Sequence, residues 1–368
     1  MLTQTLAIFL DAYRELNARK LFWATLILSG LVVVLFSLIG INERGLRIGI
    51  WDLEMKELNT SVMSTEVFYK SMFLNLGVGF WLSWIAAILA IVSTASIFPD
   101  FVSGGAIDLA LSKPIGRLRL FLTKYVAGLL FVTLQVSVFC ITSFLLIGWM
   151  GGAWEPALFL AIPTVVLFFS YLYSFCVLLG VLTRSTIAAL MLTLLFWFVI
   201  FLVHSAESTI LTFTVLNEKQ AEALSFQSNR MDEALGKLRS NPEADAQELQ
   251  SKEADMSQLK ERIASNQKTL GYLGTAHSIS LGVKTILPKT NETVGLLSRW
   301  LIDLAELPEV EQSETPQDPF SGGPAPGLER EIEERLRNRS LTWIVGTSVL
   351  FELVMLGLAA WVFVRRDF

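Results

Sequence analysis

Long apolar runs, more than any short motif, set the plan of this chain. Six of them, residues 21–41, 72–98, 125–150, 157–182, 187–205 and 342–364, lie near or above the roughly 20 residues that a helix needs to cross a hydrocarbon core. None shows the strict alternation of a barrel strand, so backbone polar groups inside the bilayer must be satisfied within helices. Ahead of the first run, Leu2, Leu6, Phe9, Tyr13 and Leu16 repeat at helical spacing, and Asp11, Arg14, Glu15 and Arg19 fall on the other side. This pattern predicts an amphipathic helix over residues 1–20 lying in the membrane interface. Run 21–41 is longer than a signal h-region and has no small-residue cleavage site behind it, so it reads as an uncleaved first span.

The fifth and sixth runs are separated by residues 207–341, which is a domain and not a turn. Within it, Leu224, Met231 and Leu238 are spaced by seven, as are Leu249, Met256, Ile263 and Leu270, with Leu259 and Leu273 as companions. Such seams predict coiled-coil packing. Ser240, Asn241 and Pro242 break the register between them, a cap-and-proline helix start. The simplest arrangement is an antiparallel helical hairpin over about 217–273; one kinked helix, or pairing with a second subunit, would leave the same pattern. Val294, Leu297, Leu301 and Leu304 mark a short amphipathic helix over about 293–306, with Trp300 as an interfacial anchor. Residues 307–327 contain five prolines and few apolar residues, a composition that predicts a disordered linker. A charged helix over 328–339 then leads into the last run.

Composition supports a bilayer setting. With 53% hydrophobic and 17% charged residues, the apolar runs exceed what a soluble core absorbs. Arg14, Arg19 and Lys20, four bases in the loop after the second run, Arg184, and Arg365 with Arg366 place both termini in the cytoplasm by the positive-inside rule. Residues 42–71 weigh slightly against this, because Arg44, Arg47, Lys56 and Lys70 sit there among five acids. On this topology residues 207–341 are extracytoplasmic, and 342–368 form the last span and a cytoplasmic tail. That segment holds 22 acids and 15 bases, a net of −7 against −5 for the whole chain, leaving +2 for the membrane body. A basic face toward the cytoplasm suits docking.

Catalytic chemistry is hard to find. There is no GxxxxGK[ST] phosphate loop, so nucleotide hydrolysis of the P-loop kind is not expected in this chain. His204 and His277 are far apart and lack ligand-type neighbours in sequence, and Cys140 and Cys176 lie in separate runs, where reduced cysteines pack as small apolar groups. No metal, cofactor or nucleic acid is expected. Glu352 is the sharpest single residue: it falls near the middle of the sixth run, where an ionised side chain is costly unless paired or hydrated. Its two readings are a contact on a translocation path and a hydrogen-bonded structural carboxyl. Gln135 and the group Ser170, Tyr171, Tyr173 and Ser174 are weaker path candidates, since polar residues inside spans commonly bridge helices.

The most informative loop is residues 98–125, FPDFVSGGAIDLALSKPIGRLRLFLTKY, which sets Asp100, Asp108, Lys113, Arg117, Arg119 and Lys124 around a short apolar run at 106–111. That is enough for a small interfacial helix. With the amphipathic entry helix and the close FVRRDF, this loop resembles the permease subunits of ABC-2 type ATP-binding-cassette exporters. Such permeases carry a Gly-containing segment, a leucine-rich run, a Lys-Pro pair and an Arg before the third span. The resemblance covers the membrane part and not the insertion at 207–341.

It implies an all-α membrane protein in which spans 1–5 occupy residues 21–206, with a coupling loop at 98–124. Two permease chains, a homodimer or a pair with a related chain, would form the pathway, and a separate ATPase subunit, carrying the ATP and Mg, would dock on the loop. Phe101, Gly104, Gly105, Asp108, Leu111, Lys113, Pro114 and Arg117 are then the docking set. The chain itself is a transport subunit of the cytoplasmic (inner) membrane, not an enzyme, and contacts lipid. Two other functions stay open. One is an ATPase-driven transmitter that acts on an extracytoplasmic protein through residues 217–273. The other is an ion-coupled channel or secondary transporter using Glu352, against which stands the absence of an internal repeat and of paired broken helices.

Overall fold

The computed structural model describes residues 20–54, 59–103, 116–152, 154–240, 246–305, 331–332, 334–336 and 338–366. The expected entry helix 1–20, the loop residues Gly104, Gly105, Asp108, Leu111, Lys113 and Pro114, and the linker 307–327 lie outside them. Five helices are long and apolar enough to cross a membrane: Thr65–Val102, Arg117–Gly151, Pro156–Thr183, Thr186–Arg239 and Thr342–Arg365. The chain is therefore a predominantly helical, multi-pass membrane protein. Its contacts divide it into two compact units, one of Met1–Ile200, Leu287–Glu311 and Leu341–Phe368, the other of Phe201–Ile286 and Gln312–Ser340.

In the first unit, α1 (Lys20–Ser37) stops short of the expected end of its apolar run. Residues 39–54, expected to be part span and part connection, instead form an antiparallel meander of β1 (Ile39–Asn42), β2 (Gly45–Ile48) and β3 (Trp51–Glu54). The cause is local. Asn42 Oδ1 accepts from the amides of Arg44 and Gly45 at 3.0 and 2.9 Å, and Gly45 and Gly49 take positive φ, the turn chemistry that joins short β-branched strands. The register pairs Ile41 with Leu46 and Leu46 with Leu53.

The second long helix begins as α2 (Thr65–Met72), widens into a π-helical stretch at Phe73–Ala86 and continues as α3 (Ala87–Thr94). Ser83 Oγ follows the wider spacing, donating to Val78 O five residues back at 2.7 Å. After α4 (Ile97–Ser103) come α5 (Arg117–Leu146) and α6 (Ala161–Thr183). The apolar start of α7 (Thr186–Arg239), then α9 (Thr290–Ala305) and α10 (Thr347–Arg365), complete the unit.

Packing centres on α6, against which α5, α9 and α10 all lie. Aromatic rings fill the seams: Trp84 stacks on Trp197 at 5.2 Å, Phe73 on Phe139 at 6.2 Å, and Tyr125 on Tyr173 at 5.2 Å. Helix α9 does more than lie at an interface, because Thr293 and Leu297 are fully buried and Leu296 nearly so. Between α2 and the start of the fourth long helix, the buried Lys70 joins Glu66 at 2.6 Å and Glu155 at 3.3 Å.

Helices α5 and α6 approach closely at Gly128, where an added Cβ would sit 2.3 Å from the Tyr173 hydroxyl oxygen. Tyr173 is fully buried, with Tyr125 and Phe169 stacked on it, so it has nowhere to move. Gly128→Ala is expected to destabilise the bundle by about 1–3 kcal/mol through overpacking. Gly30→Ala, which meets nothing within 4 Å, is the neutral control. Thermal unfolding of both variants in detergent checks the difference.

In the second unit, residues 201–239 of α7 face α8 (Ala246–Ile286). Positions that are not exposed recur at 221, 224, 228, 231, 234, 235 and 238, and at 249, 252, 256, 259, 263, 266, 270 and 273, an alternating three-four spacing broken only by 234. The pairs run in opposite directions: Asn266 donates to Asn217 O at 3.3 Å, Ser228 meets Met256 at 4.0 Å, and Arg239 pairs with Glu253 at 2.6 Å. A third segment joins them. Ile332 and Leu336 pack on Leu211 and Val215, with Glu331 on Lys219 at 2.9 Å and Arg335 on Glu218.

Candidate functional site

Glu352 lies six residues into α10, half-buried, with both carboxylate oxygens engaged. Tyr125 of α5 donates to Oε1 at 2.8 Å and Ser170 of α6 donates to Oε2 at 2.8 Å. The single Ser170 hydrogen has a second acceptor at equal distance, Leu167 O at 2.8 Å, and the Tyr125 hydroxyl reaches Ser170 O only at 3.4 Å. Among the described residues no base pairs with Glu352. One acid thus ties three membrane helices through two hydroxyls, an arrangement that satisfies its hydrogen bonds without supplying a counter-charge.

The other path candidates do not join it. Ser174 is fully buried and its hydroxyl turns back to Tyr171 O at 2.8 Å. The buried Tyr171 hydroxyl faces Thr293 of α9 and Ser348 of α10. Gln135 is 2% exposed and lines a small cavity of about 10 Å³ with Leu82, Ala86, Val132 and Phe168; its Oε1 has no partner among the described residues. Tyr125, by contrast, is a central member that sequence reasoning took only as the edge of a loop. A signal was present: Tyr125 shares a helix face with Phe121, Gly128 and Val132, all buried, so its hydroxyl had to find a partner inside the bundle.

Of the loop residues, Phe101 and Arg117 are described, and both turn toward the end of α10. Phe101 stacks with Phe363 at 6.3 Å, Phe121 tilts on the same ring at 5.6 Å, and Lys124 sits 5.2 Å above the Phe101 ring. Arg117 Nη1 donates to Val364 O at 3.1 Å and to Arg366 O at 3.0 Å. Arg366 in turn donates through Nη1 to Val181 O at 2.7 Å and Leu182 O at 3.2 Å, the last turn of α6. Carbonyls at helix C-termini lack intrahelical donors and carry partial negative charge, which guanidinium groups satisfy on both counts.

A second polar cluster lies wholly in the second unit, beyond the apolar turns of α7. Glu207 is fully buried and pairs with Lys284 at 2.7 Å, with His277 at 3.3 Å and with Arg339. His204 Nδ1 lies 3.1 Å from Lys284 Nζ. Burial by itself pushes the Glu207 carboxyl up, but the hydrogen bonds and charges of Lys284 and Arg339 outweigh it and hold the group below its ordinary value. The two histidines, separated by 73 positions and expected to be unrelated, meet here; sequence distance gave no hint of it.

The chain matches no protein-family model, no curated protein and no solved structure.

Proposed function

We propose that the chain is the permease subunit of an ABC-2 type exporter, with its coupling loop at 98–124 docking a separate ATPase. One observation carries the reading. Two of the three parts of the resemblance, the loop after the second apolar run and the close FVRRDF, meet in space through Phe101 with Phe363 and Arg117 with Arg366. A loop that only turned the chain would need no such contact. On this reading α1, 18 residues and about 27 Å long, is the first of six spans. Both termini are then cytoplasmic in the inner membrane, and a second copy completes the pathway. Residues 217–273 form an extracytoplasmic antiparallel hairpin, and Glu352 lines the pathway.

The test is affinity purification of the solubilised chain with identification of co-purifying proteins, comparing wild type with Gly105→Trp and Lys113→Glu. Co-purification of an ATPase with wild type, and its release by both variants, is the expected result; no ATPase with wild type overturns the reading.

One feature favours a second reading, a transmitter acting on an extracytoplasmic protein. Helix α7 runs without interruption for 54 residues from its apolar start to Arg239, longer than a span requires. Capture of an external partner through 217–273, with no substrate movement across the membrane, would support it.

A further inference from the structure

Helices α5, α6 and α10 are tied together at two levels. At the first, Glu352 of α10 holds Tyr125 of α5 and Ser170 of α6. At the second, Arg117, the first residue of α5, binds the last carbonyls of α10, and Arg366 at the end of α10 binds the last carbonyls of α6. The levels lie about 12 Å apart along α5, about 18 Å along α6 and about 21 Å along α10, at 1.5 Å per residue.

Two points of attachment far apart along each helix remove sliding and splaying together, which one point cannot do. The chain of donors is also directional. The Arg366 backbone leaves the helix in an extended conformation and its amide still reaches Val362 O at 3.1 Å. Its carbonyl, turned out of the helix, accepts from Arg117, while its guanidinium reaches across to α6. Removing Arg117 therefore loosens the residue that caps α6.

From this geometry we propose that Arg117 and Arg366 form a latch that makes α5, α6 and α10 one rigid body. Arg117 is then a positioning residue that hands movement of the loop to the Glu352 level, not a contact to the ATPase. The proposal rests on the permease reading for the source of the movement and on the structure alone for the latch. It separates two roles that charge by itself confuses. A docking contact tolerates lysine, which keeps the positive charge. A latch does not, because the lysine side chain ends one bond short of Nη1, the atom that here donates to both Val364 O and Arg366 O.

The experiment uses the full chain in nanodiscs with three variants, Arg117→Lys, Arg366→Gln and the double, read by hydrogen–deuterium exchange and by ATPase co-purification and turnover. Each single variant is expected to raise exchange over residues 358–366 by about tenfold, the effect of losing roughly one charge-assisted hydrogen bond. The double should add little to either single, because the two side chains act in series. The ATPase should stay bound to Arg117→Lys while its coupled turnover falls. Unchanged exchange in Arg117→Lys overturns the latch, and release of the ATPase by that variant assigns Arg117 to docking instead. If no ATPase accompanies wild type, the permease reading fails, and the exchange result still decides the latch.

Discussion

Glu207→Leu is expected to destabilise the second unit by about 3–5 kcal/mol, because it takes from the buried Lys284 and Arg339 a carboxylate that both of them pair with. Lys284 is 5% exposed and Arg339 12% at the side chain, so neither escapes to water without breaking the packing around it. The double variant Glu207→Leu with Lys284→Met should recover the share of the loss that Lys284 causes and leave the share due to Arg339, since an apolar pair of similar volume costs far less than a buried lysine deprived of its carboxylate. Thermal unfolding combined with exchange over α8 measures both, and additive losses would show that the cluster is not coupled. The acid side follows from the depressed carboxyl. Its folded value lies below the ordinary 4.5, so the stability it contributes is fully present above that value and is lost as pH falls through the folded one. Wild type should therefore melt earlier as the pH drops below about 4.5, and Glu207→Gln should lack that part of the acid dependence.

The membrane helices were legible because long apolar runs have few alternatives in water. Leu224, Met231 and Leu238 and positions 249, 256, 263 and 270, spaced by seven, were legible as positions that are not exposed. The small sheet was not. Residues 39–41 read as the tail of a span and 42–54 as part of a connection, because hydropathy locates spans and the turn chemistry of Asn42, Gly45 and Gly49 does not by itself announce strands. Contacts across the chain were beyond sequence reading altogether. Glu352 stood out as a lone acid in a span, but nothing local says that Tyr125 and Ser170 would meet it. Arg117 read as a docking residue as well as a topology signal and Arg366 as a topology signal, and only the fold shows their side chains spent on helix carbonyls. The same holds for Glu207, whose partners at 277, 284 and 339 come from three places in the sequence.

Glu352 then separates structure from function. Glu352→Gln keeps an acceptor for Tyr125 and offers Ser170 an amide donor, which Ser170 can accept while its own hydrogen goes to Leu167 O. The variant should fold within about 1 kcal/mol of wild type, because every hydrogen bond has a replacement. Only the carboxylate's capacity for charge is gone. Glu352→Leu, by contrast, leaves the Tyr125 hydroxyl with only the long contact to Ser170 O at 3.4 Å while Ser170 falls back on Leu167 O, and should cost about 1–3 kcal/mol. If the carboxyl lines a pathway, the Gln variant loses about tenfold or more of substrate-stimulated ATPase turnover, at least about 1.4 kcal/mol of interaction, while its melting temperature stays put. A Gln variant with full turnover would reduce Glu352 to a brace between three helices, with the Leu variant then unstable for the same reason that the Gln variant is not. Because the two substitutions remove charge equally and hydrogen bonds unequally, a paired measurement of melting and turnover assigns the residue without knowing the substrate.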